Sequence, residues 1–286
     1  MARRLWQGQT MHDVSGLPLA AVILAAGKGT RMKSDRHKVL HPIGGRPMLF
    51  HLMASLDALS PARTIVVVGD RAEQIAEALG GRARLVEQRP QLGTGHAVLQ
   101  AAETLDDFDG IVLILFGDVP LLTAATMQRL VATVAAPDGP SIAVLGFRPD
   151  VPGAYGRILA DADGTIVKMV EAKDATAEEL AVPLCNSGLM AVRAGQLTPW
   201  LKALRNDNAA GEYYLPDIVM LARADGQRAV VLEGRASEVI GVNSRAELAE
   251  AERLFQEGRR LELMHAGVTL VGPETVFLSF DTVIGA

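Results

Sequence analysis

Five cations fall within one short stretch, Lys28, Arg31, Lys33, Arg36 and Lys38, and only Asp35 opposes them. Gly27 and Gly29 stand at its head, and without a Cβ each lets backbone N–H groups come close to an anion. The stretch reads as a phosphate-handling loop, with a solvated basic turn as the plainer alternative. Two familiar fingerprints do not fit it. A Walker loop needs glycine where Val22 stands and Ser or Thr where Gly29 stands; a dinucleotide loop needs a third glycine where Met32 stands. Asp118, in Gly117-Asp118-Val119-Pro120, is either a turn former or a metal ligand. Magnesium takes one or two protein oxygens and fills its shell with substrate phosphates and water, so one Asp with an amide partner is chemically sufficient. Asn243 can supply that amide oxygen, although an Asn ahead of a helix also serves as a structural cap. His37 and His41 are four apart, but a loop containing Pro42 is a poor platform for two ligands, and both read as structural.

The elements that must position these residues alternate. Apolar runs at 20–26, 64–69, 83–87, 111–116 and 141–147 read as strands, and helical periodicity fills 47–59, 97–105 and 123–134. Pro47 falls in a first helical turn, and Asp70 is placed to cap a helix running to Leu79. This order predicts an α/β fold with a doubly wound, mostly parallel sheet of Rossmann-like type, whose ligands sit beyond the strand carboxyl ends. Gly27 and Asp118 both fall there. The rhythm then changes: strands at 157–160, 165–170 and 184–193, with the turn pair Asp163-Gly164, predict a small antiparallel insert. Helices at 195–204 and 215–224 and a strand at 228–232 return the chain to the sheet. A long helix over 244–265 opens with Ser244 and Glu247 in capping-box register. The tail, 267–286, is glycine-punctuated and β-rich, and hints at one coil of a six-residue-period solenoid. The resulting division is a disorder-prone leader (1–18), a catalytic domain (19–243), a linking helix (244–266) and the coil (267–286).

Composition narrows the partner. The chain has 286 residues and a formal net charge of −5, which argues against broad binding of nucleic acid or anionic membrane. The local cation cluster therefore points to a small anionic ligand. Cys185 is the sole cysteine, so no intramolecular disulfide forms and a reducing cytoplasm is the natural compartment. No apolar run approaches the ~18 residues that span a bilayer.

Nine stretches, in this order and spacing, resemble bacterial N-acetylglucosamine-1-phosphate uridyltransferases, the amino-terminal half of a bifunctional family whose other half is an acetyltransferase. They are Leu24 through Met32, Lys38-Val39-Leu40-His41, Gln91 through His96, Gly117-Asp118-Val119-Pro120, Tyr155-Gly156-Arg157-Ile158, Val170 through Thr176, Asn186-Ser187-Gly188, Gly211-Glu212-Tyr213-Tyr214 and Gly241-Val242-Asn243. The resemblance implies a magnesium-dependent transfer from UTP to N-acetylglucosamine 1-phosphate, giving UDP-N-acetylglucosamine and pyrophosphate for cell-wall synthesis. It implies that Leu24, Ala25, Ala26 and Gly27 contact the nucleotide, with Arg31 and Lys38 on its phosphates, and that Phe116 and Gly117 also bind substrate. Gln88, Gly93 and Thr94 match the uracil-reading loop, Asp118 and Asn243 the Mg2+ ligands, and Gly156, Glu171 and Asn186 the sugar site. A related nucleotidyltransferase with another nucleotide or sugar, and a non-catalytic nucleotide-sugar sensor, are the alternatives. Phe116, His37 and Ser187 depart from the family's usual tyrosine, proline and threonine. The tail matches only the opening of the family's left-handed β-helix, so acetyltransferase activity is not expected, the oligomeric state stays open, and the chain is either a piece or a single-function relative.

Overall fold

The structure, a computed structural model, describes residues 16–285; most of the expected leader, residues 1–15, lies outside the described residues. The chain runs β1 (Leu19–Ala25), β2 (Pro42–Ile43), β3 (Arg46–Pro47), α1 (Met48–Asp57), β4 (Arg63–Val68), α2 (Ala72–Leu79), β5 (Arg84–Glu87), α3 (Thr94–Ala101) and β6 (Ile111–Phe116). It continues α4 (Ala124–Ala135), β7 (Ile142–Phe147), β8 (Arg157–Ala160), β9 (Ile166–Val170), α5 (Ala177–Leu180), β10 (Cys185–Arg193), α6 (Ala194–Ala203), α7 (Asp217–Ala224), β11 (Ala229–Glu233) and α8 (Arg245–His265).

One twisted sheet carries the order β11-β7-β10-β6-β1-β4-β5. β1 pairs parallel with both β4 and β6, β4 with β5, and β11 with β7. After β5 the chain returns across β1 to lay down β6, so the winding reverses between β1 and β6. A crevice opens at the carboxyl ends of such a pair. Alternate residues of each strand face opposite layers: Val22, Leu24, Val112 and Ile114 pack with α3, α6 and α7, while Ile23, Ala25, Leu113 and Leu115 pack with α1, α2 and α4. Both faces are covered, which is why these strands read as unbroken apolar runs.

Four local expectations need correction. Residues 184–193 do not belong to the insert: β10 lies inside the main sheet, antiparallel to β6 and β7, and only the β8–β9 hairpin stands off the sheet. Leu189, Met190, Ala191 and Val192 are fully buried, as a central strand requires. Pro47 ends β3 and stands just before α1 instead of inside its first turn. Asp70 does not cap α2; Arg71 holds that position in the left-handed region, at φ 53°. The tail forms no strand among the described residues, only a 3-10 turn at Pro273–Thr275, because a solenoid strand needs a neighbouring coil to pair with. It lies along α8 instead, where Gln256 bonds both the N–H and the carbonyl of Leu278 at 2.8 Å.

Candidate active site

β1 and β6 end side by side, and Gly117 N–H donates to the Leu24 carbonyl at 2.9 Å, which extends their pairing past Phe116. Each strand then releases its loop over the same crevice. On the β1 side, Gly29 sits at φ 60°, and a Cβ there would lie 2.9 Å from Lys38 Cβ, so a glycine is needed for the loop to fold down beside the lysine. Lys38 opens a 3-10 turn (Lys38–Leu40) and turns its ammonium to the crevice.

That ammonium donates to Asp118 Oδ2 at 2.6 Å and to Asn243 Oδ1 at 2.8 Å. Three residues from distant parts of the chain thus meet at one point. Two backbone bonds bring Asn243 there: Val242 N–H donates to the Asp118 carbonyl at 2.9 Å, and Asn243 N–H donates to Glu247 Oε2 at 2.8 Å. Ser244 caps α8 by accepting from Glu247 N–H, but the Glu247 carboxylate reaches past Ser244 to Asn243, so the reciprocal capping box is not closed. The side chains of Lys38 and Asp118 are 11% and 15% exposed, so their charges act in a partly dried environment.

The crevice is a cleft of about 390 Å³ lined by Leu24, Ala25, Ala26, Gly27, Lys38, Gln88, Gly93, Thr94, Phe116 and Asp118. Of these, the far wall is held by a web of bonds. Buried Gln88 donates through Nε2 to the Gly93 carbonyl at 2.9 Å, and Gln91 Nε2 reaches the Ala26 carbonyl at 2.5 Å. Gly93 has φ 111°, and a Cβ there would lie 2.7 Å from the Tyr213 carbonyl. Thr94 Oγ1 accepts from Leu215 N–H at 3.0 Å, which makes it a brace as well as a lining residue, and α3 starts there, ahead of the expected 97.

Gly156, Glu171 and Asn186 form a second group. Asn186 N–H donates to the Gly156 carbonyl at 2.9 Å, and a Cβ on Gly156 would lie 3.2 Å from Glu171 Oε1. Since β10 runs backwards, its first residues lie at the same sheet edge as the ends of β1 and β6. Phe116 joins the two groups: it lines the cleft, and its ring lies under Gly188, where a Cβ would approach it to 2.7 Å. Burial, reinforced by Asp217, Asp174 and Glu212, raises the Glu171 carboxyl above its usual range.

Arg31 is not brought into the cleft. It is exposed on the turn Thr30–Met32 and makes no ion pair or hydrogen bond among the described residues. Four lining residues had no role in the sequence reading: His37, Val39, Ala97 and Glu212. Gln91 was visible in its motif, but its bond to Ala26 depends on folding and leaves no mark in sequence. His37 is 3% exposed; burial, then the Lys38 charge, lowers its pKa to about 4, so its imidazole is neutral.

A profile of the MobA-like NTP transferase domain matches residues 21–211, from β1 to Gly211, a span that holds Lys38, Asp118, Gly156, Glu171 and Asn186 but not Asn243. The chain belongs to this family. Among the MobA-like NTP transferases it is similar to the "Bifunctional protein GlmU" of Sphingopyxis alaskensis, with 58% identity over 268 residues, which cover 94% of this chain and 59% of that one. The protein of the same name from Zymomonas mobilis is 52% identical over 271 residues, 94% of this chain and 60% of the other. The chain thus spans about three-fifths of the length of these relatives. These matches agree with the likeness to one half of a bifunctional enzyme read from the motifs. Two solved structures share the fold. The inositol-1-phosphate CTP transferase from T. maritima superposes with a TM-score of 0.64 at 18% identity, covering 90% of this chain and 100% of its own. A CMP:2-keto-3-deoxy-manno-octonic acid synthetase gives 0.62 at 19%, covering 84% and 99%.

Proposed function

We propose that this nucleotidyltransferase joins UTP and N-acetylglucosamine 1-phosphate into UDP-N-acetylglucosamine and pyrophosphate, with magnesium as its metal. The observation that carries the reading is the convergence of Asp118 Oδ2 and Asn243 Oδ1 on one cation, the Lys38 ammonium, at the carboxyl ends of β1 and β6. Among the described residues no group of three or more His, Cys, Asp or Glu could hold a metal, so a site built wholly of such side chains is not present. Two hard oxygens that already approach a shared cation fit magnesium, which draws its remaining ligands from phosphates and water. Asp118 and Asn243 would hold it, and when bound it neutralises charge on the triphosphate.

The chain's own residues do the rest by positioning. An oxygen of the sugar phosphate attacks the α-phosphorus of UTP; a P–O bond forms there, the bond to the β-bridging oxygen breaks, and its electron pair leaves with pyrophosphate. The nucleophile is already an anion, so no general base is required. Lys38 offers positive charge next to the reacting phosphates, and Gly27 and Gly29 leave room for backbone contacts to them. Gln88 Nε2 donates to the Gly93 carbonyl at 2.9 Å and lies 3.1 Å from His96 Nδ1, which leaves its oxygen as an acceptor. That oxygen suits uracil N3–H and opposes the bare N3 of cytosine. Glu171 and Asn186 offer hydroxyl- and amide-binding groups to the sugar, one half-site away. No helix among the described residues is long and apolar enough to cross a membrane, and the reading implies a cytoplasmic protein acting on small molecules. A coupled pyrophosphate assay over four nucleotides and several sugar phosphates tests it. UTP with N-acetylglucosamine 1-phosphate is the expected pair; preference for another nucleotide overturns the substrate assignment, and absence of turnover with every pair favours a sensor.

A further inference from the structure

Lys38 and Asn243 touch across 205 residues of sequence, Lys38 on a 3-10 turn and Asn243 in the irregular segment just before α8. A second connection between those segments, away from the Lys38 ammonium, comes from one side chain. Arg245, two residues past Asn243 in the first turn of α8, donates through Nε to the Met32 carbonyl at 3.1 Å and through Nη1 to His41 Nδ1 at 3.4 Å. Met32 closes the turn Thr30–Met32 of the anion loop, and His41 follows the turn that carries Lys38. Among the described residues, no other α8 side chain hydrogen-bonds the stretch between Gly27 and His41. We propose that Arg245 is the positioning residue that locks Asn243, Lys38 and the anion loop into one centre, an inference that rests on the function proposed above.

The chemistry of the contact is specific. A guanidinium only donates, so His41 Nδ1 must be the acceptor and its proton must sit on Nε2. One planar fork spans a backbone carbonyl and a ring nitrogen on different turns; an ammonium on a flexible stem offers no such fixed pair of directions. Asn243 is held from the other side by Glu247 and by the bond from Val242 to Asp118. Those bonds fix Asn243 relative to Asp118, whereas Arg245 fixes the pair relative to Lys38. Loss of this grip would leave every substrate contact in place but let the reacting phosphates sit slightly out of line.

Arg245→Met and Arg245→Lys, assayed beside the wild type on its preferred substrate pair, provide the test. In the methionine variant kcat per folded molecule is expected to fall about 30-fold with both KM values within about twofold, since misplacement near 1 Å costs up to ~100-fold. The lysine variant, which keeps the charge, is expected to fall between the two. In the absence of substrate and metal, the Asn243 side-chain amide resonance is expected to shift in the methionine variant. An unchanged kcat per folded molecule together with an unmoved Asn243 resonance overturns the proposal, as does a lysine variant no better than methionine. If the methionine variant does not fold, a lysine variant with wild-type kcat overturns it equally. A wild type that turns over no pair defeats the proposed function instead, and the Asn243 resonance still decides the role of Arg245.

Discussion

Lys38 shows how one side chain depends on its neighbours. Its ammonium is shared between a carboxylate and an amide oxygen, and its stem passes so close to Gly29 that a Cβ there would lie 2.9 Å away. A charge paired this closely is costly to leave alone, so truncating either partner does more than delete a contact. Gln88 works by a similar economy. With its amide nitrogen turned to Gly93 and His96, it keeps its oxygen as an acceptor for the proposed uracil contact. Gln88→Leu is therefore expected to narrow the preference for UTP over CTP by about 10- to 100-fold in kcat/KM, the equivalent of the ~1–3 kcal/mol that one buried polar group left unpaired costs. Competing-nucleotide assays check this, and an unchanged ratio would place base selection elsewhere.

At the scale of elements, the reversal of β10 is the decisive feature. A strand running against its neighbours delivers its first residues, Cys185 and Asn186, to the edge where β1 and β6 deliver their last. The register of β10 slips between Asn186 and Met190, and Gly188 occupies the slip at φ 82° above the Phe116 ring. Gly188→Ala is expected to destabilise the fold by about 1–3 kcal/mol from backbone strain and ring contact combined. Denaturant unfolding measures that loss, and a rise in the KM for the sugar phosphate should accompany it as Phe116 is displaced. Much of this architecture was legible. β1 and β6 announced themselves as apolar runs ending in Gly27 and Gly117, so the crevice between them followed from topology. The place of β10 did not, because direction within a sheet depends on long-range pairing, and Leu189 through Val192 look alike in a central strand and in an insert. Asn243 stood out as a candidate, whereas Glu247, which bonds it, carries no short-range signal beyond a cap, and the bonds of Arg245 to Met32 and His41 carry none. Arg31 shows the converse: it sits in the same motif, yet its turn leaves it exposed and outside the cleft.

Across the whole molecule, two covered sheet faces bury the central strands β1, β6 and β7 almost completely, and the candidate site lies at the open carboxyl ends of β1 and β6. A few polar groups are buried with them, and His37 is one whose pKa falls to about 4. Its unfolded value is near 6.5, so between those two pH values the unfolded chain binds more protons and stability rises with pH. Stability is thus retained above pH ~6.5 and lost as pH falls towards ~4, by an amount on the order of 3 kcal/mol from this group. His37→Asn keeps a capping acceptor and is expected to flatten the slope over that window in urea titrations; a slope equal to the wild type would assign it to other groups. Asp118 and Asn243, gathered around Lys38, are the proposed metal-dependent transfer centre. Pyrophosphate release from UTP and N-acetylglucosamine 1-phosphate with Mg2+, measured for the wild type and Asp118→Ala at matched melting temperature, tests it most directly. The expected result is a loss of about 1,000-fold or more in the variant; a rate equal to the wild type would contradict it.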